Sequence, residues 1–244
     1  MTTIDTATAA PDTRGLTSIA FDLLRRDVIA GALRPGERLR VQALSARYDI
    51  GPTAIREALS RLVTEGLVQA EEQRGFHVTP VSRGDLQDLT EARVEIESVT
   101  LTRAIERGDT AWEAELLASY HVLSKTPPPV SPELAVGWGR THRTFHETLL
   151  AGCKSVWLMT ICRLLYDKSE RYRHLANIRT PPQMTSRVDE HREMVDAALG
   201  RDAPAACGLL AGHYRRTTEI ILKSPEALQL FEPAKPARRG ATRD

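Results

Sequence analysis

Apolar residues recur at helical spacing over most of the chain and switch to strand alternation only once. From Thr17 to about Ala30, Ile19, Leu23, Leu24, Val28 and Ile29 form one stripe, and Gly31 stops the helix. Leu33-Arg-Pro-Gly-Glu-Arg-Leu39 predicts a Pro-Gly turn into a short second helix, about Val41 to Tyr48, with Leu44 inward. Asp49-Ile-Gly-Pro52 is a tight turn, and Pro52 suits a helical first turn because its missing N–H would be unpaired there anyway. The third helix, Thr53 to Glu65, buries Ile55, Leu59, Leu62 and Val63, and Gly66 ends it. The period then changes. Leu67–Ala70 and Gly75–Thr79 read as two strands around Glu71-Glu-Gln-Arg74. Three helices and a hairpin make a winged helix-turn-helix, whose third helix would enter a major groove with its N-terminal residues leading.

After Pro80 the pattern is helical nearly to the end. Asp85 to about Arg107 carries Leu86, Leu89, Val94, Ile96, Val99 and Leu101 and closes at Gly108. Asp109 caps a helix from Ala111 to about Ser124, and Pro127-Pro-Pro129 forces an extended break. Further helices run from about Glu133 to Ala151, Ser155 to Asn177, Thr185 to Leu199 and Ala203 to Leu222, punctuated by Gly152, Pro181-Pro182 and Gly200. The fold class is therefore mainly α: an N-terminal winged helix-turn-helix followed by an antiparallel all-α helical bundle. The expected divisions are a disordered leader (1–13), a DNA-binding domain (14–80), a helical effector-binding and dimerisation domain (81–224) and a flexible tail (225–244) rich in Pro, Ala and Arg.

No apolar run approaches the roughly 20 residues of a membrane span. The first residues lack the basic-then-apolar layout of a secretion signal, with Asp5 and Asp12 preceding Arg14. Three scattered cysteines, Cys153, Cys162 and Cys207, fit reduced thiols in a cytoplasmic protein. Net charge is +1 but uneven: Arg14 to Arg61 holds nine arginines against five acids. That excess suits phosphate contacts, for which Arg38, Arg40, Arg47, Arg56 and Arg61 are candidates.

His142-Arg-Thr-Phe-His146 places two imidazoles one turn apart on one helix face, able to converge on an ion, and His191 and His213 follow in later helices. Neutral imidazole suits a divalent metal, with zinc the default and nickel or iron alternatives. The other reading is a metal-free polar pocket. A zinc-peptidase helix needs a glutamate base beside the first histidine, and here that residue is Arg143. No Ser/His/Asp or Cys/His motif is evident either, so an enzyme is not expected. Arg93, Arg171 and Arg173 are candidate carboxylate anchors, because a guanidinium fork matches a carboxylate.

Leu33-Arg-Pro-Gly-Glu-Arg-Leu39, Thr53-Ala-Ile-Arg-Glu-Ala-Leu-Ser-Arg-Leu62, Gly66-Leu-Val68 and Arg74-Gly-Phe76 closely resemble the DNA-binding domain of GntR-type regulators. The remainder resembles the FCD effector domain of the FadR-like branch, through Glu91-Ala-Arg93 with Glu97, Phe145-His146, Glu190-His191 with Ala197-Ala-Leu199, and His213. The resemblance implies that Thr53 and Arg56 contact DNA and that Arg74-Gly75 reaches the minor groove. It also implies that His142, His146, His191 and His213 hold the metal and that Arg93 stands where the family has an arginine. Two positions depart from the pattern. Pro52 replaces an arginine that often reads a base, and His142 replaces an aspartate ligand. With Ala151-Gly-Cys153 and Glu170-Arg-Tyr-Arg173, the latter resembles the carbon-starvation-induced, glutarate-responsive repressors. The expected protein is a homodimeric repressor that binds a pseudo-palindromic operator in double-stranded DNA and is released by a small carboxylate. The alternatives are a bundle serving dimerisation alone, and a metal-dependent enzyme.

Overall fold

The computed structural model describes residues 13–127, 132–176 and 185–231. The predicted leader up to residue 12, the breaks at Pro128-Pro129 and Pro181-Pro182 and the chain beyond 231 lie outside them. The chain divides into two compact units, Met1–Pro80 and Val81–Asp244.

The first unit runs α1 (Thr13–Ile29), β1 (Arg38–Leu39), α2 (Val41–Tyr48), α3 (Pro52–Thr64), β2 (Val68–Glu71) and β3 (Gly75–Val78). Its core is the apolar stripe of α1, with Ala20, Leu24 and Val28, against Ile55, Leu59 and Leu62 of α3. The turn between α2 and α3 works through Asp49, which takes the left-handed conformation at φ 54°, and through Pro52 at the start of α3. Asp27, buried on α1, ties α2 down by accepting from Arg47 and from the Tyr48 hydroxyl. The sheet differs from the predicted hairpin. Leu33–Leu39 ends in a third strand, giving the antiparallel order β1-β3-β2, with Arg38 opposite His77 and Leu39 opposite Phe76. Two residues are too few for an alternating pattern, and Leu39 is buried under the wing.

The second unit consists of α4 (Arg83–Arg107), α5 (Thr110–Lys125), α6 (Pro132–Ala151), α7 (Val156–Leu175), α8 (Thr185–Leu199), α9 (Ala203–Lys223) and α10 (Pro225–Phe231). Ser82, Asp109, Ser155 and Asp202 each accept a backbone N–H in the first turn of α4, α5, α7 and α9, supplying partners the helix itself cannot. Leu101, Leu116, Phe145, Leu149, Met194 and Leu210 are fully buried and join α4, α5, α6, α8 and α9 in one core. Gly152 lets the end of α6 approach α4, because a Cβ there would stand 2.7 Å from the Ala104 carbonyl oxygen.

The expected flexible tail from residue 225 begins instead as α10. Pro225 sits in its first turn, the Ser224 hydroxyl accepts from the Ala227 amide at 3.1 Å, and Ala227 is buried. Phe231 faces the Tyr172 ring at 6.2 Å. The Pro-rich composition hid a short apolar stripe.

Candidate metal centre and effector cavity

Three helices bring the four predicted histidines together. His142 and His146 come from successive turns of α6, His191 from α8 and His213 from α9. Each is at most 3% exposed, and one nitrogen from each lies within 4.8 Å of the others. Burial, then neighbouring histidines and arginines, hold His142 and His146 well below the ordinary histidine range. Both rings are therefore neutral at pH 7 and offer lone pairs. These two lone pairs, with a buried nitrogen each from His191 and His213, fit a nitrogen-ligated divalent ion.

The rings are oriented from outside the cage by residues whose part there the sequence did not mark. Glu190 accepts from His213 Nδ1 at 2.9 Å and pairs with Arg216 at 2.9 Å. Tyr214 donates its hydroxyl proton to Glu97 and lies 3.4 Å from His146 Nδ1. Tyr166 Oη stands 3.1 Å from His142 Nδ1, Arg173 Nη1 lies 3.3 Å from the same nitrogen, and Trp138 stacks on the ring at 4.4 Å. Such outer partners fix which nitrogen faces an ion. Glu190 is, with His191, a landmark of the family resemblance, yet it serves His213 on the next helix, a pairing that spacing does not mark.

A cavity of about 30 Å³ adjoins the cage, with room for about two waters. Its lining includes Thr90, Arg93, His142, Tyr166, Ser169 and Arg173, with His213, Tyr214, Thr217 and Thr218 closing the α9 side. Among the described residues that line it there are two arginines and no acid. Arg93 is buried, paired to Glu97 at 2.7 Å and to Ser169 at 2.7 Å, and lies over the Tyr214 ring at 3.9 Å. Burial opposes its charge, but Glu97 outweighs burial and keeps it protonated. Its remaining nitrogen, Nη2, is buried without a hydrogen-bond partner. Arg173 also bonds Glu170 at 2.9 Å and lies 5.0 Å from the Trp138 ring. Arg171, the other candidate anchor on α7, does not line the cavity. Residues two apart on a helix point to nearly opposite sides, and Arg171 is buried toward Tyr172 and Asp85, where burial lowers its pKa to about 10. Arg143, standing where a peptidase base would be needed, is committed to Glu147 and Asp167.

In the first unit, Thr53 and Arg56 are exposed on the opening turns of α3, and Arg38 is exposed on β1. Arg74 and Gly75 form the wing tip, where Gln73 (φ 60°) and Gly75 (φ 83°) turn the chain and Arg74 is 79% exposed. Arg61 differs: its guanidinium lies 4.1 Å from the Phe21 ring centroid, which draws it toward α1.

A family model described as bacterial regulatory proteins, gntR family, matches residues 16–78, and a model of the FCD domain matches residues 88–216. The chain belongs to the GntR family, with an FCD domain. It is a DNA-binding transcriptional regulator and not an enzyme. It is 37% identical over 211 residues to the HTH-type transcriptional regulator BphR of Paraburkholderia xenovorans, covering 85% of this chain and 86% of that one. It is 36% identical over 202 residues to the HTH-type transcriptional repressor GlaR of Escherichia coli, covering 81% and 92%. Among solved structures, E. coli McbR/YncC has the same fold at TM-score 0.70 and 22% identity, covering 85% of this chain and 97% of that one. A GntR regulator from Rhodococcus gives 0.66 at 22% identity, covering 85% and 98%. No helix among the described residues is long and apolar enough to cross a membrane.

Proposed function

We propose that this GntR regulator is a cytoplasmic repressor, released from its operator by a small carboxylate bound beside a divalent ion in the four-histidine cage. The observation that carries the effector class is the cavity lining. Two arginines, one with a buried unpaired nitrogen, and several hydroxyls meet two of the histidines with no acid among them. A buried guanidinium N–H without an acceptor costs free energy, which an anion oxygen would recover. Four neutral ligands also leave the ion's positive charge uncompensated, and a carboxylate offsets it. Zinc is the ion this donor set suits best, with nickel or iron the alternatives. Glutarate or another C4–C6 dicarboxylate is the first to test, and its binding would widen the cavity beyond the free volume seen here.

Repression is supported by similarity to GlaR, which is named a repressor. A homodimer on a pseudo-palindromic operator is the arrangement that helix-turn-helix readers use, and α7 leaves Trp157, Ile161 and Leu164 exposed at i, i+4 and i+7. The contacting set on DNA is Thr53, Arg56, Arg38, Arg74 and Gly75, with Arg61 contributing from the far end of α3. The carboxylate acts by binding one state of the dimer more tightly than the other. Mobility-shift titration of the protein with its own promoter region and a series of dicarboxylates tests this. Retention of no DNA fragment defeats the proposal.

A further inference from the structure

The Ser and Thr hydroxyls that line the effector cavity have already spent their protons. Thr90 Oγ1 lies 2.7 Å from the Leu86 carbonyl oxygen and 2.6 Å from Thr218 Oγ1. Each contact needs one proton, and a carbonyl has none to give. Thr90 therefore donates to Leu86, and the proton between the two threonines comes from Thr218. Ser169 accepts from Arg93 Nη1 at 2.7 Å and donates to the Tyr166 carbonyl at 2.9 Å, while Thr217 donates to the His213 carbonyl at 2.9 Å. Helices α4, α7 and α9 thus line the cavity with hydroxyl oxygens that keep only lone pairs for a ligand. Thr218 Oγ1 accepts from no group among the described residues. The two arginines are the converse. A guanidinium offers donors only, and Arg93 Nη2 is buried without an acceptor.

We infer that the cavity selects a hydroxycarboxylate, with carboxylate oxygens on the arginines and a ligand hydroxyl that donates to Thr218. The inference rests on the carboxylate reading above and names the kind of carboxylate. A plain methylene chain leaves the Thr218 oxygen without a donor, and a carboxylate oxygen set against it opposes lone pair to lone pair. An ammonium could donate as well, but it would add positive charge beside Arg93 and Arg173 where no described lining residue is acidic. A hydroxyl donates without charge. Thr218 is thus the residue that distinguishes a hydroxylated ligand from a plain one, and Thr90 is what turns its hydroxyl from a possible donor into an acceptor.

The test is titration calorimetry on the full-length protein supplied with zinc, using two matched pairs: succinate with malate, and glutarate with 3-hydroxyglutarate. In at least one pair the hydroxylated member is expected to bind about three- to tenfold more tightly, the worth of one neutral hydrogen bond. Aspartate, with an ammonium in place of the malate hydroxyl, is expected to bind more weakly than malate. Thr218→Val keeps the side chain's shape, removes the acceptor and is expected to abolish the preference, whereas Thr218→Ser is expected to retain it. Thr218→Ala makes the same test should valine disturb the packing. Equal affinities within both pairs, tighter binding of the plain members, or aspartate bound more tightly than malate overturns the hydroxyl assignment. So does a preference that survives loss of the Thr218 hydroxyl, because the ligand hydroxyl would then be held elsewhere, on the ion for example. All of these leave the carboxylate reading standing. Binding of no member of the series by the wild-type protein overturns that reading beneath it.

Discussion

The two units treat positive charge in opposite ways. The reader keeps Arg38, Arg56 and Arg74 in water, where each is solvated and, with Arg74 held only by an exposed pair to Glu71, able to meet a phosphate. The bundle buries Arg93 and four histidines, where every charge must be matched or suppressed. Exposed charges are screened by salt and contribute little to folding, whereas a buried pair is costly to break. Substitutions should therefore separate cleanly, the reader losing affinity at constant stability and the bundle losing both stability and ligand.

The largest effect is expected at Glu97→Ala. It strands the Arg93 charge and removes the Tyr214 acceptor, destabilising by about 3–5 kcal/mol, which corresponds to a fall of roughly 10 °C or more in the bundle's thermal midpoint. A change under about 1 kcal/mol would show that the pair is solvated and the contrast wrong. Next is Arg56→Ala, expected to cost about 1–3 kcal/mol of operator affinity with the midpoint unmoved, as anisotropy and calorimetry on the same protein would show.

These two positions also show how far the sequence could be read. The reader was legible because its signals are local: the stripe of α1, Pro52 opening α3, Gly66 closing it and the change to strand alternation. It missed only β1, two residues whose partner strand lies nearly 40 residues away. In the bundle, spacing yielded His142 and His146, and the family resemblance supplied His191 and His213. The hydrogen-bond network around them was not legible. Glu190, Tyr166 and Tyr214 reach the rings across helices, Glu97 does so only through Tyr214, and nothing in a linear pattern marks a side chain whose partner is 20 to 120 positions distant. Arg171 lies off the cavity for a local reason that periodicity does contain, since it and Arg173 point to nearly opposite sides of α7.

A smaller effect tests the buried histidines in chelated protein. Their folded pKa values lie below the ordinary 6.5 because burial disfavours the charged ring. The unfolded chain then takes up protons that the fold refuses, so stability is full above about pH 6.5 and is lost as pH falls. The expected slope is up to about 1.4 kcal/mol per pH unit for each ring that stays neutral, read by denaturant unfolding between pH 7 and 5. A flat profile would mean the rings are protonated in the fold. Least is expected of Arg74→Ala: a near-uniform weakening across DNA sequences, with the salt dependence reduced by about one phosphate contact.

The most direct measurement follows labelled promoter DNA by anisotropy while C4–C6 dicarboxylates are titrated into zinc-loaded and chelated wild-type protein. Release of DNA from the zinc-loaded protein by at least one member of the series is expected, with little or none from the chelated protein. Equal release from both, or retention by the loaded protein across the whole series, would contradict it.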